Sequence, residues 1–336
     1  MLQQPASDSP EPVCAQGLAR ILSQSRLQFP QFAALPAFSN TRSLRTVIVN
    51  NSFTEVEQFL RTMYDRFPET EQTEMCRWIA YRGEPVLMET LVADPHHSLI
   101  AQSLRAAESV TTTNGDGFGL GWYGERAIPG VYREIRPAWS DENLRSICAQ
   151  VRSHLFFAHV RASTGTASVR ANCHPFAYKQ HMFMHNGQIG GYVAVKRRVE
   201  DLIPDELYTH RSGTTDSEAI FLAALGAGLE DEPLRAMALT LKRIADLMRA
   251  ANVGEPLRLT AAHTDGKILR AFRWASDARA PSLYWRQKNG AFIVVSEPLD
   301  EERGCWQEVP QGCALTACPD GQVRTESLCE AVRKAA

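Results

Sequence analysis

From Cys76 onward, the sequence is dominated by short apolar runs that are bounded by residues favouring turns. Runs of this length and composition are typical of β-strands. Tight turns are predicted between several of these runs. Asp265-Gly266 and Asn289-Gly290 are suited to two-residue hairpins, because their residues tolerate the positive φ that such turns require. Because a hairpin joins antiparallel neighbours, a doubly wound parallel sheet fits this pattern poorly.

Helical periodicity interrupts the strands. A helix is predicted over 233–251, where apolar residues recur at three- and four-residue spacing and give one buried face. Other helices are predicted over 98–109, 141–151 and 216–229. Strands joined by hairpins and covered by helices predict an α+β domain of layered sheets and helices, spanning 76–330.

Residues 1–74 have a different character. This segment opens with a polar tail containing Ser and Pro, and it offers one short apolar run at 46–49 and one amphipathic helix at 55–67. It contains no motif with recognisable chemistry. We interpret it as an extension of low order, either a propeptide or the result of a mis-assigned start, because chain termini are commonly poorly ordered.

Charge and composition exclude several classes of partner. Lys and Arg (36) nearly balance Asp and Glu (38), giving a net charge of −2, whereas nucleic-acid binders usually carry a basic excess. No run approaches the roughly 18 apolar residues of a membrane span. The N-terminal sequence lacks a signal pattern, and eight cysteines are scattered without a framework. We therefore expect a cytoplasmic protein with reduced thiols and neither nucleic acid nor membrane as partner.

Two short stretches carry reactive or binding side chains next to predicted strands. Cys76 opens a strand, where an isolated cysteine is usually a small core residue. Arg161 ends a strand and is followed by Ser163 and Thr164. It is either a surface ion-pairing residue or a guanidinium placed for bidentate capture of a carboxylate.

Two further stretches also allow either a structural or a functional interpretation. Asn186-Gly187 alone favours a tight turn, but an Asn amide beside a Gly N–H also suits an oxyanion hole. Asp216 lies in Thr215-Asp216-Ser217-Glu218, where acids at a helix start usually cap it and complement the helix dipole.

Seven short motifs occur in a specific order along the chain. They are Met75-Cys76-Arg77, Asn114-Gly115-Asp116-Gly117-Phe118-Gly119, His159-Val160-Arg161-Ala162-Ser163, Asn172-x-His174-Pro175-Phe176, His185-Asn186-Gly187-Gln188-Ile189, Asp216-Ser217-Glu218 and Ser296-Glu297-Pro298-Leu299. This set, covering about 75–325, resembles the class II glutamine amidotransferases of the N-terminal-nucleophile (Ntn) hydrolase superfamily. It is most similar to the stand-alone members, which include a γ-glutamyl hydrolase of ergothioneine biosynthesis.

The resemblance implies a four-layer αββα sandwich of two antiparallel sheets, the Ntn-hydrolase fold. It also implies that Cys76 attacks a γ-glutamyl amide and forms a thioester, with its own α-amine as the base. Asn186 and Gly187 would hold the oxyanion. Arg161 would bind the α-carboxylate of the substrate and Asp216 its α-ammonium.

Thr164 is a further substrate-binding candidate by the same resemblance, and no cofactor or metal is implied. His174 and His185 would be structural supports. One departure concerns substrate identity: Ala162 and Gly165 occupy positions that are aromatic and histidine in the amidotransferases of sugar-phosphate synthesis.

The implied mechanism needs a free amine on Cys76, yet other residues precede it. Three explanations remain open. Met75 is the true initiator and is removed, which its position directly before Cys76 favours; or the chain is a processed precursor; or the extension is permanent and the domain is inactive.

The function predicted is hydrolysis of a γ-glutamyl amide, with no fused synthase domain. A small-molecule γ-glutamyl substrate is expected, while a homodimer and a separate ammonia-accepting synthase remain open as partners. Hydrolysis is favoured because a stand-alone glutaminase would waste glutamine. The alternative is a catalytically silent protein that binds a γ-glutamyl ligand or serves as a subunit.

Two weaker patterns are rejected. Gly119-x-Gly121-x-x-Gly124 matches the dinucleotide fingerprint, but strand-like sequence follows it where a helix is required. Cys305, Cys313 and Cys318 could be imagined as zinc ligands, but isolated core or surface thiols explain them more simply.

Overall fold

The computed structural model describes residues 76–105, 113–163, 166–318 and 320–335. The predicted extension at 1–74 and the candidate Thr164 lie outside these residues.

The described residues form two antiparallel sheets. In chain order their strands are β1 (Arg77–Leu87), β2 (Phe118–Trp122), β3 (Gly130–Glu134), β4 (Arg152–Val160), β5 (Phe176–Tyr178), β6 (His181–Ile189), β7 (Leu257–Thr264), β8 (Leu269–Ala275), β9 (Tyr284–Lys288), β10 (Ala291–Val295), β11 (Gln307–Glu308), β12 (Cys313–Ala317) and β13 (Val323–Ser327). The first sheet has the order β11-β9-β10-β1-β4-β2-β3 and the second β13-β12-β8-β7-β6-β5. The strand pairs are antiparallel, as the hairpin signals predict.

Helices cover both sheets. In chain order they are α1 (Glu89–Val92), α2 (Leu99–Leu104), α3 (Glu142–Gln150), α4 (Tyr192–Glu200), α5 (Asp205–Tyr208), α6 (Asp216–Gly226), α7 (Pro233–Ala250) and α8 (Leu328–Lys334). Local chemistry sets several of the helix starts. The Asp141 carboxylate accepts the N–H of Leu144 at 2.7 Å at the start of α3, and Pro233 occupies the first turn of α7, where its missing N–H costs nothing.

Three apolar cores separate four layers. Helices α1–α3 pack on the first sheet through residues that include Leu91, Leu99, Leu144 and Phe156. The two sheets pack on each other through residues that include Trp78, Phe157, Met182 and Met184. Helices α4, α6 and α7 pack on the second sheet through residues that include Phe183, Val195, Phe221 and Leu241. The predicted α+β class and αββα sandwich are therefore confirmed.

Side-chain alternation along two strands places the candidate site. On β1, Trp78 faces the other sheet, so the residue two positions earlier, Cys76, lies on that same face. On β6, Met182 and Met184 face the other sheet, which places Asn186 there as well. Cys76 and Asn186 therefore approach the same interlayer space from opposite sheets.

The structure departs from the sequence predictions at particular elements. Asn186-Gly187 lies inside β6, so the alternative of a tight turn at this dipeptide is wrong. Strand β3 and helix α4 were not predicted, because neither has a strong apolar pattern: α4 buries only Val195 and Val199 of its described residues. Among the described helices, none combines the length and apolar character needed to cross a bilayer.

Candidate active site

Cys76 lies immediately before β1, in a partly exposed position, and its thiol donates a weak hydrogen bond to the carbonyl of Ala162 at 3.5 Å. Burial raises the pKa of the Cys76 thiol to about 11, although the hydrogen bond to Ala162 and the charges of Arg161 and Arg77 act to lower it. The charge of Asp216 raises the pKa further. At neutral pH the thiol is therefore protonated, and a base must take its proton as the sulfur attacks.

Arg161 is buried, with 3% of its surface exposed. Its guanidinium donates to the hydroxyls of Ser163 at 3.0 Å and Thr166 at 2.5 Å, and to the carbonyl of Asp116 at 3.3 Å. These partners are neutral, and Arg161 has no ion pair among the described residues. A buried, orientated guanidinium whose charge is not neutralised is suited to bind a carboxylate.

The glycine-rich loop before β2 holds this arginine in place. The N–H of Arg161 donates to the carbonyl of Gly117 at 2.8 Å, and the N–H of Asp116 donates to the carbonyl of Arg161 at 3.1 Å. The Asp116 carboxylate accepts the N–H of Ser163 at 2.8 Å. Gly117 has φ of +113°, and a Cβ there would lie 2.6 Å from the carbonyl oxygen of Glu134. The loop therefore needs glycine at this point.

Asp216 is the first residue of α6, and the cap is its neighbour Thr215, whose hydroxyl accepts the N–H of Glu218 at 3.3 Å. The two carboxylate oxygens of Asp216 accept the N–H of Ile189 and the N–H of Ser217, each at 2.8 Å. Asp216 thus ties the helix start to the end of β6, and its charge acts on the Cys76 thiol.

Asn186 is buried, and its side-chain Nδ2 has no hydrogen-bond partner among the described residues. A buried amide donor without an acceptor costs roughly 1–3 kcal/mol, so it is seldom kept without a use. The next residue, Gly187, has φ of +144°, and a Cβ there would lie 2.1 Å from the carbonyl oxygen of Arg258. Only glycine fits at this position.

Neutral histidines support this region. The Nδ1 of His185 lies 2.9 Å from the hydroxyl of Ser217 in α6. The rings of His159 and His174 have centroids 4.2 Å apart. Burial lowers the pKa of His159 to about 3 and that of His174 well below its usual value. These side chains are therefore uncharged at neutral pH.

Asn172 positions the segment before α6. Its Oδ1 accepts the N–H of Thr214 at 2.8 Å, and its Nδ2 donates to the carbonyl of Ala167 at 2.8 Å. The motif containing Asn172 therefore connects the loop after Arg161 with the helix that begins at Asp216.

One buried ion pair beside Cys76 was not predicted from the sequence. Arg77 Nε and Glu297 Oε2 are 2.9 Å apart, and both side chains are buried. A usable signal was present, since Arg77 is the single charge in an otherwise apolar strand start and Glu297 ends another apolar run. Pairing them required knowing that residues 220 positions apart meet.

The rejected dinucleotide pattern has a packing explanation. Gly119 and Gly121 lie in β2, and the described residues from 123 to 129 form no helix after it. A Cβ at Gly119 would lie 2.0 Å from the carbonyl oxygen of His174, and one at Gly121 would lie 2.7 Å from the Pro175 ring. These glycines allow the 174–175 segment to approach the strand.

Comparisons with known proteins define the family. The sequence pattern of the family described as glutamine amidotransferases class-II matches residues 88–276. A Saccharomyces cerevisiae relative, described as probable glutamine amidotransferase DUG3, is 33% identical over 291 residues, or 72% of this chain and 81% of the relative. A solved structure of a glutamine aminotransferase class-II domain protein from Silicibacter pomeroyi is 38% identical with a TM-score of 0.61, covering 75% of this chain and 99% of that one.

A third relative has a more specific description. The gamma-glutamyl-hercynylcysteine sulfoxide hydrolase of Mycolicibacterium smegmatis is 25% identical over 238 residues, or 70% of this chain and 92% of that protein. The chain belongs to the class-II glutamine amidotransferases. It is an enzyme of the amidohydrolase type that acts on carbon–nitrogen bonds.

Proposed function

We propose that this enzyme hydrolyses a γ-glutamyl amide through a thioester on Cys76. The observation that carries the proposal is the buried Nδ2 of Asn186, which has no hydrogen-bond partner in the part of the chain that the structure describes and lies in the interlayer space that Cys76 also faces. Arg161 and Asp216 act electrostatically on the same thiol and offer opposite charges. A free amino acid head group carries a carboxylate and an ammonium, so the pair matches its two ends.

The first half-reaction forms the thioester. The Cys76 thiol gives its proton to the α-amine of the same residue as sulfur bonds to the γ-carbonyl carbon. The carbonyl electron pair moves to oxygen, and Asn186 Nδ2 with the Gly187 N–H donates to that oxyanion. The carbon–nitrogen bond then breaks, and the leaving amine takes the proton from the α-ammonium.

Water completes the turnover. It gives a proton to the α-amine and adds to the thioester carbonyl, and the oxyanion forms again at Asn186 and Gly187. The carbon–sulfur bond breaks, the sulfur regains the proton from the α-ammonium, and the glutamyl group leaves as a carboxylic acid, which then loses its proton to solvent. Arg161 and Asp216 hold the head group through both steps, and Thr164 is proposed to contribute to its binding.

The α-amine must be free for this chemistry, because an amide nitrogen is not a base. We propose that the active form begins at Cys76, by removal of Met75 from an internal start or by processing. Sequencing the N-terminus of the protein from its native host tests this point. A blocked or Met1 terminus on every copy contradicts it.

The chemistry itself is tested with the full chain. Residues directly before Cys76 are replaced by the recognition sequence of a site-specific protease that leaves Cys76 as the first residue. Intact mass is recorded before and after cleavage, with a diazo-ketone analogue of glutamine. We expect one covalent adduct after cleavage, little before it, and none in Cys76→Ala, which also loses measurable turnover.

The same experiment separates hydrolysis from a catalytically silent binding protein. If the cleaved, folded protein binds a γ-glutamyl ligand but forms no adduct and releases no amine, the silent alternative is correct. We favour plain hydrolysis over ammonia transfer to a separate synthase, and amine release without any added acceptor supports that choice.

A further inference from the structure

We infer that Arg211 is a positioning residue for Asp216: its guanidinium fixes the main chain where α6 begins, and so sets the direction in which the Asp216 carboxylate meets the ammonium group of the substrate. The inference rests on the proposed function, in which Asp216 binds that group. Arg211 lies in the segment between α5 and α6.

The Arg211 guanidinium contacts the residue directly before Asp216. Its Nη1 and Nη2 both donate to the main-chain carbonyl of Thr215, each at 3.2 Å. Two donors of one rigid, planar group define the direction of that carbonyl more closely than one donor does. A peptide group is planar, so the Thr215 carbonyl and the Asp216 nitrogen share one plane. Arg211 therefore fixes the peptide group through which the chain enters Asp216.

The guanidinium is itself held by partners from two helices. Its Nε and Nη2 lie 3.1 and 2.7 Å from Glu200 Oε1 at the end of α4, and its Nη1 lies 3.7 Å from Glu218 Oε2 in α6. Nη2 also donates to the hydroxyl of Tyr192 at 3.3 Å. The side chains of Arg211 and Glu218 are 6% and 4% exposed. Since these partners surround a buried group, the guanidinium has one defined position.

The start of α6 does not require this cation. The Thr215 hydroxyl already accepts the N–H of Glu218 at 3.3 Å, which caps the helix. A positive charge near a helix N-terminus opposes the helix dipole, and the carboxylates of Glu200 and Glu218 offset that cost. The contact from Arg211 to Thr215 therefore serves the position of the next residue, Asp216, rather than the formation of the helix.

The other contacts of Asp216 leave acceptor capacity for an ammonium group. Its two oxygens accept the N–H of Ile189 and the N–H of Ser217, each at 2.8 Å. The Ser217 hydroxyl lies 2.9 Å from His185 Nδ1 and 3.4 Å from Asp216 Oδ1. A carboxylate offers about four lone-pair sites, so these contacts do not fill it. The direction of the remaining sites follows the main chain at Asp216, which Arg211 fixes.

A displaced Asp216 carboxylate would weaken capture of the substrate ammonium without changing the chemistry at Cys76. Misplacing a binding group by about 1 Å can cost on the order of a hundredfold in rate. The loss would be confined to substrates that carry the ammonium. This confinement separates positioning of Asp216 from a general contribution of Arg211 to stability.

Two anilides test the inference in the protease-cleaved full chain. The γ-glutamyl 4-nitroanilide carries the ammonium, whereas glutaryl 4-nitroanilide lacks it and keeps the carboxylate and the scissile amide. Arg211→Met should lower kcat/KM for the γ-glutamyl anilide roughly tenfold and leave that for the glutaryl anilide within about twofold. The loss should fall mainly on KM, because a head-group contact is made equally before and during bond cleavage. Release of 4-nitroaniline measures both rates.

A double-variant cycle locates the effect at Asp216. Asp216→Asn should lower kcat/KM roughly 10- to 150-fold for the γ-glutamyl anilide alone, from the loss of a charge-assisted contact. Adding Arg211→Met to Asp216→Asn should cost little more, because two residues that act through one contact are not additive.

Two further variants control for stability and folding. Arg286→Met removes another arginine that pairs with a carboxylate, that of Asp300 at 2.6 Å, on strand β9 of the other sheet, and should change both anilides equally. Arg211→Lys keeps a cation beside Glu200 but supplies a single nitrogen. It should show the same substrate-dependent loss as Arg211→Met in smaller measure, and it decides the matter if Arg211→Met does not fold.

The outcomes are separable. If the Arg211 variants lower kcat/KM equally for both anilides, or for neither, the inference is wrong while the proposed hydrolysis stands. If the wild-type enzyme cleaves the two anilides equally well, Asp216 does not select the ammonium, and the inference is again wrong. If the cleaved wild-type protein forms no adduct with the diazo-ketone, the proposed function itself fails.

Discussion

Two buried arginines lie on either side of Cys76, the proposed nucleophile, and their surroundings differ in charge. Arg77 is paired with the carboxylate of Glu297 at 2.9 Å. Arg161 is buried to a similar degree, yet its described partners are hydroxyls and carbonyls. Burying a charge without a counter-ion is costly. The difference fits the proposal that Arg161 binds an anion of the substrate, whereas Arg77 belongs to the frame around Cys76.

The largest expected effect concerns stability. Arg77→Met removes the cation that pairs with the buried carboxylate of Glu297, and breaking such a buried ion pair costs roughly 3–5 kcal/mol of unfolding free energy. The matched variant Arg161→Met strands no carboxylate. It loses several hydrogen bonds to neutral acceptors but also removes the cost of burying a cation without a counter-ion, so the net loss should be about 1 kcal/mol or less. Urea denaturation followed by circular dichroism measures both. Equal losses would remove the distinction between the two arginines.

The second effect concerns substrate capture. Arg161→Met should lower kcat/KM roughly 10- to 150-fold, from the loss of about 1.5–3 kcal/mol of charge-assisted hydrogen bonding to the α-carboxylate. A substrate whose α-carboxylate is converted to an amide should show a similar loss with wild-type enzyme and little further loss with Arg161→Met. If the loss from the amide substrate and the loss from Arg161→Met add together, the α-carboxylate does not bind to Arg161.

The smallest difference between the two arginines concerns acid stability. Burial lowers the pKa of His159 from 6.5 to about 3, and the charge of Arg161 contributes to this shift. Between these values the unfolded chain binds a proton that the folded chain does not. Stability therefore falls as the pH drops below 6.5, by up to about 1.4 kcal/mol per pH unit for this histidine.

Variants sharpen this pH dependence. His159→Gln should flatten the decline of unfolding free energy between pH 6.5 and about 3. Arg161→Met should flatten it slightly, because the folded-state pKa of His159 rises when that charge is removed. Arg77→Met should leave the slope of unfolding free energy against pH unchanged. If this slope changes equally in both arginine variants, the proposed difference between Arg77 and Arg161 is contradicted.

The fold was predictable where apolar patterning is strong. Strand β4 and helix α7 follow from a buried run and a three- and four-residue period, and the turns at Asp265-Gly266 and Asn289-Gly290 do join adjacent antiparallel strands. Helix α4 escaped prediction because its sequence is largely charged and only one narrow face is buried.

The sequence motifs could place the candidate residues in one hypothesis but could not predict the contacts that each of them makes. Ordered motifs brought Cys76, Arg161 and Asp216 into one hypothesis, and their charges do interact in the structure. The partners of each residue depend on long-range packing that no local pattern encodes. The Arg77–Glu297 pair is one example, and the bond from Ile189 to Asp216 is another.

The packing between the two sheets determines how substitutions far from the site can reduce activity. Cys76 and Asn186 stand on different sheets, and the gap between those sheets is filled by side chains such as Met182, Met184 and Phe157. The distance from the Cys76 sulfur to the proposed oxyanion donor, Asn186, is thus set by the thickness of the apolar core between the sheets rather than by any loop. A core substitution that adds or removes a single methylene would change this distance. It would therefore impair turnover while leaving every residue of the site chemically intact.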